Sequence, residues 1–176
     1  MIPTAAPVRL RGLLPKTKGG EGDTSYDIEW LVEQHDRLYA RDEGFDASFA
    51  ILVREILTDF VANFDPKTEA AFIACTPEGR RLGCVFCQHK SPSTAKLRLF
   101  LVVPEARGLG LGAQLLQACM RFAKDAGYGG MELWTHESHH AACALYQAHG
   151  WQMVRSEPKR SFGTDVVEQS WQISFC

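Results

Sequence analysis

The sequence predicts a single mixed domain of the α/β (α+β) class, a sheet of about seven strands flanked by about four helices. Three observations carry that expectation. Apolar residues recur at helical spacing as far as Asn63, the period changes to two beyond Pro66, and a glycine-rich turn at Arg107–Gly112 joins a strand to a helix. At 176 residues and 45% hydrophobic, the chain can bury one substantial core but is short for two ordinary domains, so residues 1–176 are expected to form one.

A short strand is expected over Val8–Leu14, then a loop rich in Lys and Gly from Pro15 to Thr24; residues 1–7 and 15–24 read as flexible. From Ser25 a helix places Ile28, Leu31, Val32, His35, Leu38 and Tyr39 on one side, with Asp23 or Thr24 offering a capping oxygen. Asp42, Glu43 and Gly44 read as the link to a second helix. That helix runs from about Asp46 to Asn63 on the stripe Phe49, Leu52, Val53, Ile56, Leu57 and Phe60, and Pro66 follows it.

Ala70–Cys75 and Leu82–His89 read as a hairpin around the turn Thr76–Arg81. The strand Ala95–Val103 alternates Leu97, Leu99 and Leu101 with Lys96, Arg98 and Phe100 and stops at Pro104, which has no ladder N–H to give. After the connection Glu105, Ala106, Arg107 comes a helix with Leu111, Leu115, Cys119 and Phe122 inward and Gln114, Gln117, Arg121 and Lys124 outward, ended by Gly127. A strand at Met131–Thr135, a helix from about Ser138 to His149 stopped by Gly150, and strands at Trp151–Ser156 and Val166–Phe175 complete the chain. Trp134, Trp151 and Trp171 read as core residues.

Nineteen basic and 21 acidic residues give a net charge of −2 and a pI of about 6.3, without the excess positive charge that would draw the chain to nucleic acid or an anionic membrane. Neither a signal peptide nor a spanning segment is readable, which makes the cytoplasm the expected compartment. The six cysteines sit mostly inside apolar patterns and read as buried free thiols. Cys84 and Cys87 form a CxxC, but on a strand the two sulfurs point to opposite faces and no second CxxC completes a zinc site.

At Arg107, Gly108, Leu109, Gly110, Leu111 and Gly112 a strand gives way to a helix whose first turn carries no bulky side chain. The backbone N–H groups left bare there, the helix dipole and the Arg107 charge suit a pyrophosphate. The competing explanation is close packing of the helix on the sheet, for which one glycine suffices. Gly108, Gly110 and Ala113 also satisfy a loose GxGxxG/A dinucleotide fingerprint with Glu132 downstream, but that fingerprint should open a first βαβ unit and here it comes late. A GK[ST] sequence is missing, so a Walker-type loop is a poorer match still.

Arg107, Gly110 and Gly112 match the R/QxxGxG/A motif of the GNAT superfamily of N-acetyltransferases, and the run Ala141, Ala142, Leu145, Tyr146, His149, Gly150, Trp151 resembles the same family's last helix. Trp30, His35, Tyr39 and Gly44, with Lys159, Arg160, Ser161, Phe162 and Gly163, are similar to the acetyltransferase domains that some bacteria fuse to MarR-type DNA-binding domains. No winged-helix segment is readable ahead of them, so the acetyltransferase part alone is expected. The resemblance covers about Val8 to Phe175. It implies the GNAT fold, a mostly antiparallel sheet splayed at its middle, and acetyl-CoA as acyl donor without a metal. It places the backbone of Leu101, Val102 and Val103 beside the pantetheine arm and the pyrophosphate on the turn from Arg107 to Gly112 and Ala113. Tyr146 then stands where the family's tyrosine protonates the departing thiolate as an amine attacks the thioester directly. A neutral phenol near pKa 10 can do this; the competing reading of Tyr146 is a packed core residue beside Leu145. A homodimer is compatible with the family.

The acceptor, a primary amine of a small molecule or a protein, must lose a proton before it attacks. Asp42, Glu43 and Glu132 are the candidate carboxylates, each with an ordinary solvated or ion-paired alternative; the relatives commonly carry Glu in place of Asp42. His136, His139, His140 and Cys143 have helical spacing that a metal could use, but the family needs none, and Ser138 or a histidine beside the cofactor is the better reading. Two alternatives stay open: a non-catalytic acyl-CoA-binding sensor and, behind it, a dinucleotide-binding protein.

Overall fold

A computed structural model describes residues 7–13 and 24–176. In chain order they form β1 (Arg9–Arg11), α1 (Thr24–Glu43), α2 (Ala47–Asn63), β2 (Ala70–Cys75), β3 (Arg81–Ser91), β4 (Thr94–Val102), a 3₁₀ turn (Pro104–Ala106), α3 (Leu111–Asp125), β5 (Gly130–His136), α4 (His140–Ala148), β6 (Gln152–Ser161) and β7 (Thr164–Ser174). The seven strands are ordered β1-β2-β3-β4-β5-β7-β6. β1 through β4 pair antiparallel in sequence, as do β6 and β7, while β4 and β5 run parallel over a ladder confined to Thr94–Lys96 and Gly130–Glu132. This is the mixed α/β fold with seven strands and four helices that the periodicities predict. No described helix is long and apolar enough to cross a membrane. Asp23 and the flexible reading of residues 1–6 and 15–23 lie outside the described residues.

The described chain divides into two compact units. The first holds residues 7–13, 66–132 and 174–176. In it α3 packs on β2, β3 and β4 through buried Leu111, Leu115, Leu116, Cys119 and Ala123, leaving Gln114, Gln117, Arg121 and Lys124 in water as their spacing requires. Gly83 to Cys87 are all buried, the signature of a strand covered on both faces. β4 departs from plain alternation. Phe86 faces Arg98 while Cys84 faces Leu101, so β4 carries one extra residue, a bulge, and Leu99 within it has φ of +50°. The Cys84 thiol donates to the Leu99 carbonyl at 2.9 Å. The expected Leu97, Leu99, Leu101 face is therefore broken at its centre: Leu97 and Leu101 are buried and Leu99 is half-buried.

The second unit holds residues 24–65 and 133–173. Here α1 packs on α2, and Leu31, Val32, His35 and Leu38 of the one and Val53, Leu57 and Phe60 of the other are all buried. Leu52, expected on the buried stripe, is exposed, because the stripe follows Phe49, Val53, Ile56, Leu57 and Phe60 and residue 52 falls to its side. Asp42 and Glu43 are not in a link: they form the last turn of α1, and only Gly44, Phe45 and Asp46 connect it to α2. Asp46 caps α2 by accepting from the Ser48 N–H at 3.0 Å. α4 begins at His140, so Ser138 precedes it. β6 and β7 are longer than their apolar residues announce and meet in a two-residue turn at Phe162 and Gly163, with Ser161 facing Thr164. Trp134 is 59% exposed, against the expectation of a core residue: in β5 its side chain alternates to the opposite face from buried Leu133 and Thr135. Trp151 and Trp171 are buried as expected.

Candidate functional site

The turn before α3 is built from three backbone devices. Val103 leads through the 3₁₀ turn, which Arg107 closes by donating its N–H to the Pro104 carbonyl at 3.2 Å. Gly108 and Gly110 then take φ of +77° and +76°, a region where an L side chain is strained. A Cβ at either glycine would have no neighbour within 4 Å, so their backbone faces open space and packing does not require them. α3 opens with Gly110 as N-cap and no side-chain cap, its carbonyl accepting from Gln114 at 3.1 Å. The N–H groups of Leu111, Gly112 and Ala113 are thus those that helix geometry leaves without an intrahelical acceptor. Leu109 is 64% exposed, and Arg107 Nε donates to the Val102 carbonyl at 3.1 Å.

That contact fixes the orientation of the strand that precedes it. Val103 N–H donates to the Leu82 carbonyl at 2.9 Å, so by the alternation of an antiparallel ladder the next pair, Val102 with Gly83, turns its polar groups outward. Of the three residues expected along the pantetheine arm, Val103 has its amide engaged with β3, and Val102 directs its own away from it. Glu132, at the other side of this unit, ion-pairs with Lys90 at 2.5 Å and is buried, the structural role weighed against catalysis.

The second unit assembles a polar cluster from α1 and the start of α4. Glu43, with a side chain only 11% exposed, places Oε1 3.1 Å from His139 Nε2 and accepts from Ser138 Oγ through Oε2 at 2.5 Å. His139 Nδ1 lies 3.3 Å from Thr135 Oγ1. The Tyr39 ring meets the His139 ring edge-on at 5.1 Å, and His136 lies 5.5 Å from it. Burial pushes the His139 pKa down, opposed by the Glu43 and Asp42 carboxylates; burial and the neighbouring His139 likewise lower that of His136. Both rings are therefore neutral at pH 7. Asp42, the other acidic candidate, is exposed and held by the adjacent Arg41 at 2.7 Å. The sequence reading named Glu43 and Ser138 in separate roles and set a histidine beside the cofactor ahead of a metal site, without joining any of them to Glu43. Their convergence joins elements remote in sequence, which no local period reveals. Among the described residues no three His, Cys, Asp or Glu side chains converge as a metal-ligand set.

Tyr146 is 3% exposed on α4, its ring 5.8 Å from Trp151 and 6.0 Å from Trp171. Its carbonyl accepts from Trp151 N–H at 3.0 Å, just past the end of the helix. Trp171 Nε1 and the Cys143 thiol both donate to Gln169 Oε1, at 3.1 and 3.5 Å.

The chain belongs to the acetyltransferase (GNAT) family, whose sequence profile matches residues 26–151. Over 125 residues, 70% of this chain and 74% of the other, it is 28% identical to an uncharacterized N-acetyltransferase of Schizosaccharomyces pombe. It is 35% identical over 92 residues to the mycothiol acetyltransferase of Paenarthrobacter aurescens, a stretch that is 49% of this chain and 28% of that protein. The structure of YncA from Salmonella typhimurium, solved with its cofactor acetyl-CoA, shares the fold: TM-score 0.72 over 96% of this chain and 94% of that one, at 15% identity.

Proposed function

We propose that the chain acts as a single domain that transfers an acetyl group from acetyl-CoA to a primary amine of a small molecule or a protein. The observation that carries this reading is the α3 turn, where two left-handed glycines face open space ahead of an uncapped helix start beside Arg107. Such a turn fits a pyrophosphate, gripped by Arg107 and by the N–H groups of Leu111, Gly112 and Ala113. Gly108 and Gly110 let the backbone approach, and exposed Leu109 lies between them. When bound, acetyl-CoA supplies the acetyl group as an activated thioester. The outward Val102 N–H is the donor we assign to the thioester carbonyl oxygen, with Leu101 and Val103 flanking it. Glu43 and neutral His139 are assigned to accept the proton of the acceptor ammonium, Ser138 holding Glu43 and Asp42 adding negative charge nearby. Tyr146 is assigned the proton that the leaving thiolate takes up. The finer kinship with MarR-fused acetyltransferase domains, a cytoplasmic location and a homodimer belong to the same proposal, as does the lack of a nucleic-acid or membrane partner.

The test is a thermal-shift comparison of acetyl-CoA, CoA, NAD and ATP on the wild type and on Gly110→Trp. A ligand at one hundred times its dissociation constant adds about 2.7 kcal/mol. Stabilisation by acetyl-CoA that the substitution removes from a still-folded protein supports the turn as the cofactor site; stabilisation by NAD instead would overturn it. Release of free thiol with a panel of amines then separates an enzyme from an acyl-CoA sensor. Turnover that survives Tyr146→Phe unchanged removes Tyr146 from the acid role.

A further inference from the structure

The β6–β7 hairpin ends in an expensive turn. A two-residue loop with both φ values positive favours Asn-Gly or Gly-Gly, yet here Phe162 takes φ of +50° and Gly163 φ of +77°. A bulky residue in that region persists where its surroundings over-determine it. The Phe162 ring lies 4.9 Å from Phe45 and 5.0 Å from Phe49, and the Phe162 carbonyl accepts from the Asp46 N–H at 2.9 Å. A Cβ on Gly163 would come within 2.6 Å of Asp46 Oδ2. The hairpin tip therefore clasps Phe45 and Asp46, two of the three residues that turn α1 into α2.

Glu43 ends α1 two residues before Phe45. The ring cluster continues from the clasp to the polar site: Phe45 meets His136 edge-on at 5.4 Å, Tyr39 lies 4.5 Å from Phe49, and Tyr39 in turn packs on His139 at 5.1 Å. We infer that Phe162 and Gly163 are positioning residues, a latch on the α1–α2 corner that holds the Glu43 carboxylate against His139. This rests on the assignment of Glu43 and His139 to the acceptor amine. The latch residues act on His139 through the corner.

The groups facing His139 are Glu43 and Asp42 from α1, His136 from β5 and His140 from α4, so its titration reports the Glu43 contact. The experiment is a double-mutant cycle on the full chain, reading the His139 ring resonance against pH, assigned by its loss in His139→Gln. In the wild type, Glu43→Gln should lower the His139 midpoint, because the carboxylate that raises it is gone. In Phe162→Ala the same substitution should have less than about a third of that effect, and Phe162→Tyr should restore it in full. Should Phe162→Ala fail to fold, Gly163→Ala, which displaces Asp46, takes its place in the cycle. An equal effect of Glu43→Gln in latched and unlatched backgrounds would overturn the latch. Acetyl-CoA protection measured on each variant keeps the two readings apart: its loss in the wild type itself sinks the acetyltransferase assignment and leaves the cycle standing.

Discussion

His35 shows how much one side chain can be asked to bear. It is 1% exposed in α1, its Nδ1 bonded to the Leu31 carbonyl at 2.7 Å, and its Nε2 has no hydrogen-bond partner among the described residues. Burial lowers its pKa from 6.5 to about 4, the Leu31 carbonyl opposing. Between those values the unfolded chain binds a proton that the folded chain refuses, so stability rises with pH across that window and is complete above 6.5. We expect the wild type to lose about 3 kcal/mol from this group on going from pH 7 to pH 4. His35→Phe, which keeps a ring against Tyr39 and Phe49, should flatten that loss; urea titrations at the two pH values decide it. Its place on the apolar stripe was legible in the sequence. Asp27 and Gln34 are buried on the same helix and were not, because a polar letter carries no sign of the partner that lets it go inside.

Elements were legible in proportion to how one-sided they are. α3 has water on one face and the sheet on the other, and its period gave its limits, its buried face and its glycine start. β6 is exposed along almost its whole length and contains Pro158, so the strand read over Trp151–Ser156 stopped five residues short of its end at Ser161, and an edge strand is where a proline is tolerated. The β4 bulge was invisible for a different reason: Leu99 takes a conformation that a glycine would have announced. At the α3 turn the glycines do announce it, and their cost can be measured. Gly108→Ala meets no atom within 4 Å, so it should destabilise by about 1–2 kcal/mol through φ alone. The same substitution should weaken acetyl-CoA protection; denaturant unfolding with and without the ligand separates the two effects, and a neutral result in both would remove the turn from the site.

For the molecule as a whole, fold and family were legible, while the meeting of Glu43, Ser138 and His139 was not, since it depends on which strands and helices close together in space. The cysteines give a global readout of that closure. All six are free: Cys75, Cys84, Cys87 and Cys119 are buried, Cys143 is half-buried and Cys176 is exposed. Burial raises the pKa of the Cys84 and Cys143 thiols, and that of Cys119 is raised first by its hydrogen bond with Cys87 and then by burial. An aromatic disulfide reagent should label Cys176 first and Cys143 slowly, with the other four reacting only as the protein unfolds. Prompt labelling of a third thiol in native buffer would mean that the first unit opens far more readily than its packing implies.

The extra residue in β4 has a consequence for any attempt to improve this protein. Shortening the strand by one residue at Leu99 would let the pairing of Arg98 with Phe86 run on without a break into that of Leu101 with Cys84, and would abolish the left-handed residue. The repaired strand would shed about 1–3 kcal/mol of backbone strain. It would also lose the bend and added twist that a bulge imparts just ahead of Val102 and the α3 turn. Selection for thermostability alone would therefore favour deleting the irregularity that aims the strand we assign to the cofactor, and on that assignment a library screened only for survival on heating would enrich well-folded, inert proteins.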